Sequence, residues 1–172
     1  TGLLPDGTTA LTRGGAPVYR GLGVGGFGEY AVTTENGVVR IERDIPLDVA
    51  AVVGCALQTG VGAVLNAAKV VEGATVLVMG LGGIGLSAVQ GARLANAARI
   101  IVSDPVAQRR DTAKALGATD FLDPKIDDVV AATRELTGGI GVDYAFETAG
   151  VAALVTTGFF ATRNGGTIVC VG

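Results

Sequence analysis

Gly80, Gly82 and Gly85 follow one another as G-x-G-x-x-G directly after the apolar run Thr75–Met79, and Asp104 closes the next apolar run, Arg99–Ser103. Glycines at this spacing suit a dinucleotide. Gly80 permits the tight turn out of a strand, Gly82 lets backbone N–H groups approach a pyrophosphate without an intervening Cβ, and Gly85 lets the following helix lie close on its strand. With Gly83 and Ile84, they put the positive end of that helix against the phosphates. A carboxylate about 20 residues on, at the end of the second strand, accepts from the adenosine ribose hydroxyls and repels a 2′-phosphate, which favours NAD over NADP. Asp104 has a second reading as a solvated loop acid, or as the N-cap of a helix whose first turn holds Pro105.

The chain contains 28 glycines, so the spacing alone is weak and the surrounding elements carry the reading. The motif sits between a strand and a helical pattern with Leu86, Val89 and Leu94 on one face. Beyond it strands and helices alternate, with helices expected over 105–116, 126–136 and 151–163. Strands are expected near Phe121 and over 142–146 and 167–171. Alternation of this kind argues for a parallel sheet with crossover helices. The predicted fold is α/β, a doubly wound Rossmann sheet of five strands rather than six, with the edge of the fifth bare and apolar. Ahead of it, 1–45 reads as short strands and turns: a strand over 8–12, a Gly14-Gly15 turn, then strands 29–33 and 38–41 around Asn36-Gly37. Pro46-Leu47-Asp48 opens a helix, and 55–70 reads as another.

Composition narrows the function classes. Hydrophobic residues make up 49% and charged residues 17%, which favours buried strands over disorder. A net charge of -3 offers no attraction for nucleic acid or an anionic membrane. The apolar stretch 76–95 is interrupted by glycines, a Gln and an Arg, and no membrane span or signal peptide is expected there or in the first residues. Cys55 and Cys170 are the two cysteines, too few for a disulfide framework, and a cytoplasmic setting is expected. The chain has no histidine, so any site needing imidazole is incomplete within it. Cys55 on its own terms is a small packing residue at a helix start, and Cys170 is expected to be buried in the last strand.

The run Gly54-Cys55-Ala56-Leu57-Gln58-Thr59-Gly60-Val61-Gly62-Ala63 precedes Ala68-Lys69-Val70 and the glycine-rich turn. With Leu116-Gly117-Ala118-Thr119 and Val142-Asp143-Tyr144-Ala145-Phe146-Glu147, it resembles the zinc-containing alcohol dehydrogenases of the medium-chain dehydrogenase/reductase family. The likeness runs through essentially the whole chain in order. It implies that 1–47 is the end of a β-rich GroES-like catalytic domain, 48–73 the connecting helices carrying Cys55, and 74–172 an NAD-binding Rossmann domain stopping after strand five.

The resemblance further implies that Cys55 is one of three protein ligands to a catalytic zinc. The Cys and His that complete the family's set, and its four-cysteine structural lobe, have no counterpart here. Thr59 matches a position beside the nicotinamide; on its own it is a helix residue bonding its backbone. Arg109 matches a basic residue reaching toward the adenosine ribose, or is a surface cation, and Thr148 lies where cofactor passes over a strand end. The implied activity is NAD-dependent interconversion of an alcohol and its aldehyde or ketone, with zinc as Lewis acid and hydride passing to the nicotinamide. The complete protein is expected to be a homo-oligomer acting on a small molecule. This chain alone is expected to be inactive, since one thiolate does not hold a catalytic zinc. The alternatives are a zinc-free quinone or enoyl reductase of the same superfamily, usually with NADPH, and a non-oxidoreductase Rossmann domain such as a methyl-transferring one.

Overall fold

The computed structural model describes residues 3, 4, 6–19, 21 and 28–172, which group into two compact units, Thr1–Ile45 and Pro46–Gly172.

In the first unit β1 (Leu11–Arg13) pairs antiparallel with β2 (Ala16–Val18). Their turn is Gly14-Gly15, with φ of 57° and 80°, the left-handed pair that a two-residue hairpin requires. The expected strand over 8–12 thus begins late, at Leu11. The second expected hairpin is absent. Glu35–Gly37 is a short 3-10 turn, and neither 29–33 nor 38–41 forms a strand. The reason is burial: Val32 and Val39 are 102% and 88% exposed, so among the described residues the β-branched side chains meet no apolar layer that would reward pairing.

The second unit opens with one continuous helix, Leu47–Ala67, where two had been expected. It consists of α1 (Leu47–Val52), a π-helical stretch at Val53–Leu57, α2 (Gln58–Gly62) and a second π-helical stretch at Ala63–Ala67. With a mean hydropathy of 1.6 it is long and apolar enough to cross a bilayer, the one such helix among the described residues. Its Ala56, Gly60 and Val64 side nevertheless packs on the helix after the glycine-rich turn. A Cβ on Gly60 would lie 2.3 Å from the Ile84 carbonyl oxygen, so only glycine allows this approach.

Five parallel strands follow: β3 (Thr75–Met79), β4 (Arg99–Ser103), β5 (Asp120–Leu122), β6 (Val142–Glu147) and β7 (Thr162–Cys170). Their spatial order is β5-β4-β3-β6-β7. The crossovers are α3 (Gly83–Leu94), α4 (Arg109–Leu116), α5 (Val129–Leu136) and α6 (Ala152–Ala161). Alternation along β3 shows the layering. Val76 and Val78 join Ala88, Val89, Ala92, Ala113 and Phe146 in one core, whereas Leu77 and Met79 join Val129, Ala145 and Ala161 in another. Helices therefore cover both faces, as in the doubly wound Rossmann fold, and the strand order reverses between β3 and β6, which run parallel.

Local chemistry moved several boundaries. Asp104 Oδ1 accepts the Val106 amide at 2.8 Å, and the Arg109 and Arg110 amides bond Val106 and Ala107 in tight turns, so α4 starts at Arg109 rather than at Pro105. Asp128 accepts from the Val130 and Ala131 amides, both at 3.0 Å, and caps α5 three residues later than the pattern suggested. Thr162 pairs with Val142, which ends α6 at Ala161 and lengthens β7 toward its N-terminus. Val89 is fully buried as expected but Leu94 is exposed, and the other buried residues of α3 are small: Gly85, Ser87, Ala88, Gly91 and Ala92, because a helix lies on one side of it and the sheet on another. Cys170 is exposed on the edge strand β7, not buried.

Candidate functional site

The crevice at the C-terminal ends of β3, β4 and β6 is the place where an open α/β sheet binds its ligand. A cleft of about 460 Å³ opens there, lined by Gly80, Leu81, Gly82, Asp104, Arg109, Thr148 and Val151 among others. Gly80 leaves β3 with φ of 96°, a left-handed conformation, and a Cβ on it would lie 2.9 Å from the Ala149 Cβ. Gly85 is fixed by contact rather than by dihedral: its Cβ would sit 1.8 Å from the Gly80 carbonyl oxygen. The first turn of α3 therefore folds back onto the strand end, which brings the helix terminus to the cleft.

Gly82 is different. It lines the cleft, and it sits at the N-cap; among the described residues a Cβ there meets nothing within 4 Å and no side chain caps the helix. The first bond within this turn is from the Leu86 amide to the Gly82 carbonyl at 2.9 Å. The amides ahead of it, on Gly83, Ile84 and Gly85, have no intrahelical acceptor and stand at the positive end of the dipole. A backbone cradle with open space where a side chain would go fits a pyrophosphate.

Asp104 is only 1% exposed and fully engaged. Its Oδ2 accepts the Leu81 amide at 2.7 Å and Arg109 Nη1 at 3.0 Å, while Oδ1 holds the Val106 amide. The acid thus ties the glycine-rich turn to the end of β4, with Arg109 as a half-exposed cover. Thr148 extends the same framework across β3: its Oγ1 donates among the carbonyls of Met79 and Gly80, at 3.0 and 2.8 Å.

Cys55 lies in the first π-helical stretch, exposed, and Thr59 is half-buried one turn later. Ala56, between them, faces the glycine-rich turn, its Cβ 3.2 Å from where a Gly83 Cβ would be. Cys55 and Thr59 thus flank the contact that seats this helix beside the first turn of α3. A zinc ion does not fit the residues in hand. The chain has no histidine, and among the described residues no three His, Cys, Asp or Glu side chains gather closely enough to hold a metal ion. Cys55 can be one ligand of a set completed elsewhere, and no chemical step through zinc follows from this chain.

Sequence reasoning passed over two acids. Glu147, read as part of a core strand, is 2% exposed with a carboxyl oxygen bonding the turn after β6. At the opposite end of the sheet, Asp143 accepts from the Thr75 amide and hydroxyl, both at 2.8 Å, and from Arg163 Nε at 2.6 Å. Burial pushes the Asp143 pKa up, but the Thr75 and Arg163 hydrogen bonds outweigh it and hold the carboxyl below its ordinary range. An acid at a strand terminus was the signal for both, yet it does not reveal which amides the acid will face.

Comparison with known proteins agrees with this geometry. A family described as zinc-binding dehydrogenase matches residues 83–172. An alcohol dehydrogenase zinc-binding domain protein from Burkholderia ambifaria is 40% identical, with a TM-score of 0.88 over 98% of this chain and 46% of that one. Benzyl alcohol dehydrogenase from Acinetobacter calcoaceticus is 38% identical, with a TM-score of 0.79 over 83% of this chain and 39% of that one. The alcohol dehydrogenase TADH from Thermus sp. ATN1 is 28% identical, with a TM-score of 0.73 over 78% of this chain and 38% of that one. The chain thus spans less than half the length of each of these relatives. Family match, five-stranded topology and glycine-rich cleft agree: this chain belongs to the zinc-binding dehydrogenase family and carries its Rossmann-like domain.

Proposed function

We propose that the chain is the dinucleotide-binding part of an NAD-dependent oxidoreductase that interconverts an alcohol and its aldehyde or ketone. One observation carries the reading: the uncapped terminus of α3 with open space at Gly82, inside the cleft where the sheet order reverses. Phosphates rest on the amides of Gly83 and Ile84, and the adenosine side extends over the end of β4 toward Asp104 and Arg109. The other nucleotide extends toward β6. An acid beneath the ribose argues for NAD over NADP, since a 2′-phosphate would face a carboxylate. When bound, NAD supplies the hydride acceptor; the chain supplies position.

Alcohol as the substrate class rests on the family and on relatives whose names are alcohol dehydrogenases. Cys55 is proposed as one zinc ligand and Thr59 as a residue on the nicotinamide side, both from the Gly54–Gly62 motif and its seat beside α3. Parallel titrations of the chain with NADH, NADPH and S-adenosylmethionine test this. NADH should bind at least about tenfold tighter than NADPH, the size of a specific polar discrimination. Preference for NADPH would favour the reductase alternative, and binding of S-adenosylmethionine alone a methyl-transferring domain. An assay with NAD, zinc and a primary alcohol should give no turnover, because the ligand set is incomplete.

A further inference from the structure

We infer that Glu147 is a positioning residue for the nicotinamide half of the dinucleotide, an inference that rests on the dinucleotide reading above. Its carboxyl is buried at the end of β6 and makes no ion pair among the described residues. Oε1 instead accepts the amides of Ala149 at 2.9 Å and Val151 at 3.3 Å, so one side chain closes the whole turn 148–151. The Glu147 carbonyl takes the Val171 and Gly172 amides at 2.8 and 3.2 Å, tying that turn to the end of β7. On its other side the turn is fixed to β3, by the Thr148 amide on the Met79 carbonyl at 3.0 Å and by Ala149 seated against Gly80. The Glu147 residue thus joins the ends of β3, β6 and β7.

Thr148, Ala149 and Val151 wall the cleft on the side away from Asp104. With the adenosine half at the end of β4 and the phosphates over β3, the second nucleotide lies against this wall. Burying an acid is costly unless its oxygens are bonded, and here the bonded groups are the amides that shape the wall. The Glu147 side chain touches no ligand and acts through the turn it holds.

The test compares NADH and AMP binding to the 172-residue chain and to two variants, Glu147→Ala and Glu147→Gln, with thermal unfolding recorded for each. AMP reports the adenosine half alone. Glu147→Ala is expected to weaken NADH about tenfold while changing AMP less than about twofold. Glu147→Gln keeps an acceptor oxygen and should restore NADH affinity to within about threefold of the original chain. Equal losses for NADH and AMP, no loss for either, or no rescue by Gln would overturn the positioning role. If the unaltered chain binds neither ligand, the dinucleotide reading fails and this inference fails with it.

Discussion

Leu81 and Asp104 are joined by a 2.7 Å hydrogen bond from the Leu81 amide to Oδ2, across 23 residues of sequence. The glycine-rich turn and the end of β4 are therefore tied together, and Arg109 sits over the joint. Asp104→Ala leaves a buried amide without its acceptor and Arg109 without its partner. The expected loss is about 2–3 kcal/mol of stability, by the cost of a buried charge-assisted bond, measured as a lower denaturant midpoint with unchanged slope. An unchanged midpoint would mean the turn does not depend on this acid.

Gly85→Ala should destabilise by about 1–3 kcal/mol, since its Cβ would lie 1.8 Å from the Gly80 oxygen and the helix start must shift to admit it. Thermal unfolding reads this directly. Displacing that helix start also moves the phosphate cradle, so nucleotide affinity should fall along with stability.

At the far end of the sheet, Asp143 links Thr75 of β3 to Arg163 of β7. Its native pKa lies below the ordinary carboxylate value, so the folded state binds this proton less readily than the unfolded chain. The stability it contributes is fully present above about pH 4 and is lost as pH falls through the depressed native value. Asp143→Asn should flatten the acid limb of a stability-versus-pH curve. A variant curve parallel to the original would contradict the assignment.

Thr133 is wholly buried in α5, and its hydroxyl has no hydrogen-bond partner among the described residues. Thr133→Val replaces that hydroxyl with a methyl of similar size. Stability should rise by about 1 kcal/mol, the cost of an unsatisfied buried group, and nucleotide binding should not change.

Much of this was legible in residue order, because the signals were local. Thr75–Met79, the glycines and Asp104 specify strand, turn, helix and second strand within one βαβ unit, and Gly14-Gly15 specifies its hairpin. What stayed hidden depends on partners distant in sequence. Asn36-Gly37 makes a good hairpin turn, but Val32 and Val39 have nothing to pack against. Leu94 fits the helical period yet faces solvent, because Gly60 draws a second helix onto α3 and the small residues take the buried positions. The spacing marks Asp104 as a ribose acid or a helix cap; its capture by Leu81 and Arg109 arises only when the β3 and β4 ends meet. Glu147 was hidden within a core strand for the same reason.

Dinucleotide binding turns on the open main-chain cradle at Gly82, and calorimetric titration with NAD tests it most directly when the chain is compared with Gly82→Val. A Cβ at that position meets no atom of the described residues within 4 Å beyond its chain neighbours, so the variant should still fold, while the space for the pyrophosphate is filled. Saturable binding at one site per chain, lost by at least about tenfold in a Gly82→Val variant that still unfolds cooperatively, is the predicted result. No heat from the unaltered chain, or equal affinity in the variant, would contradict it.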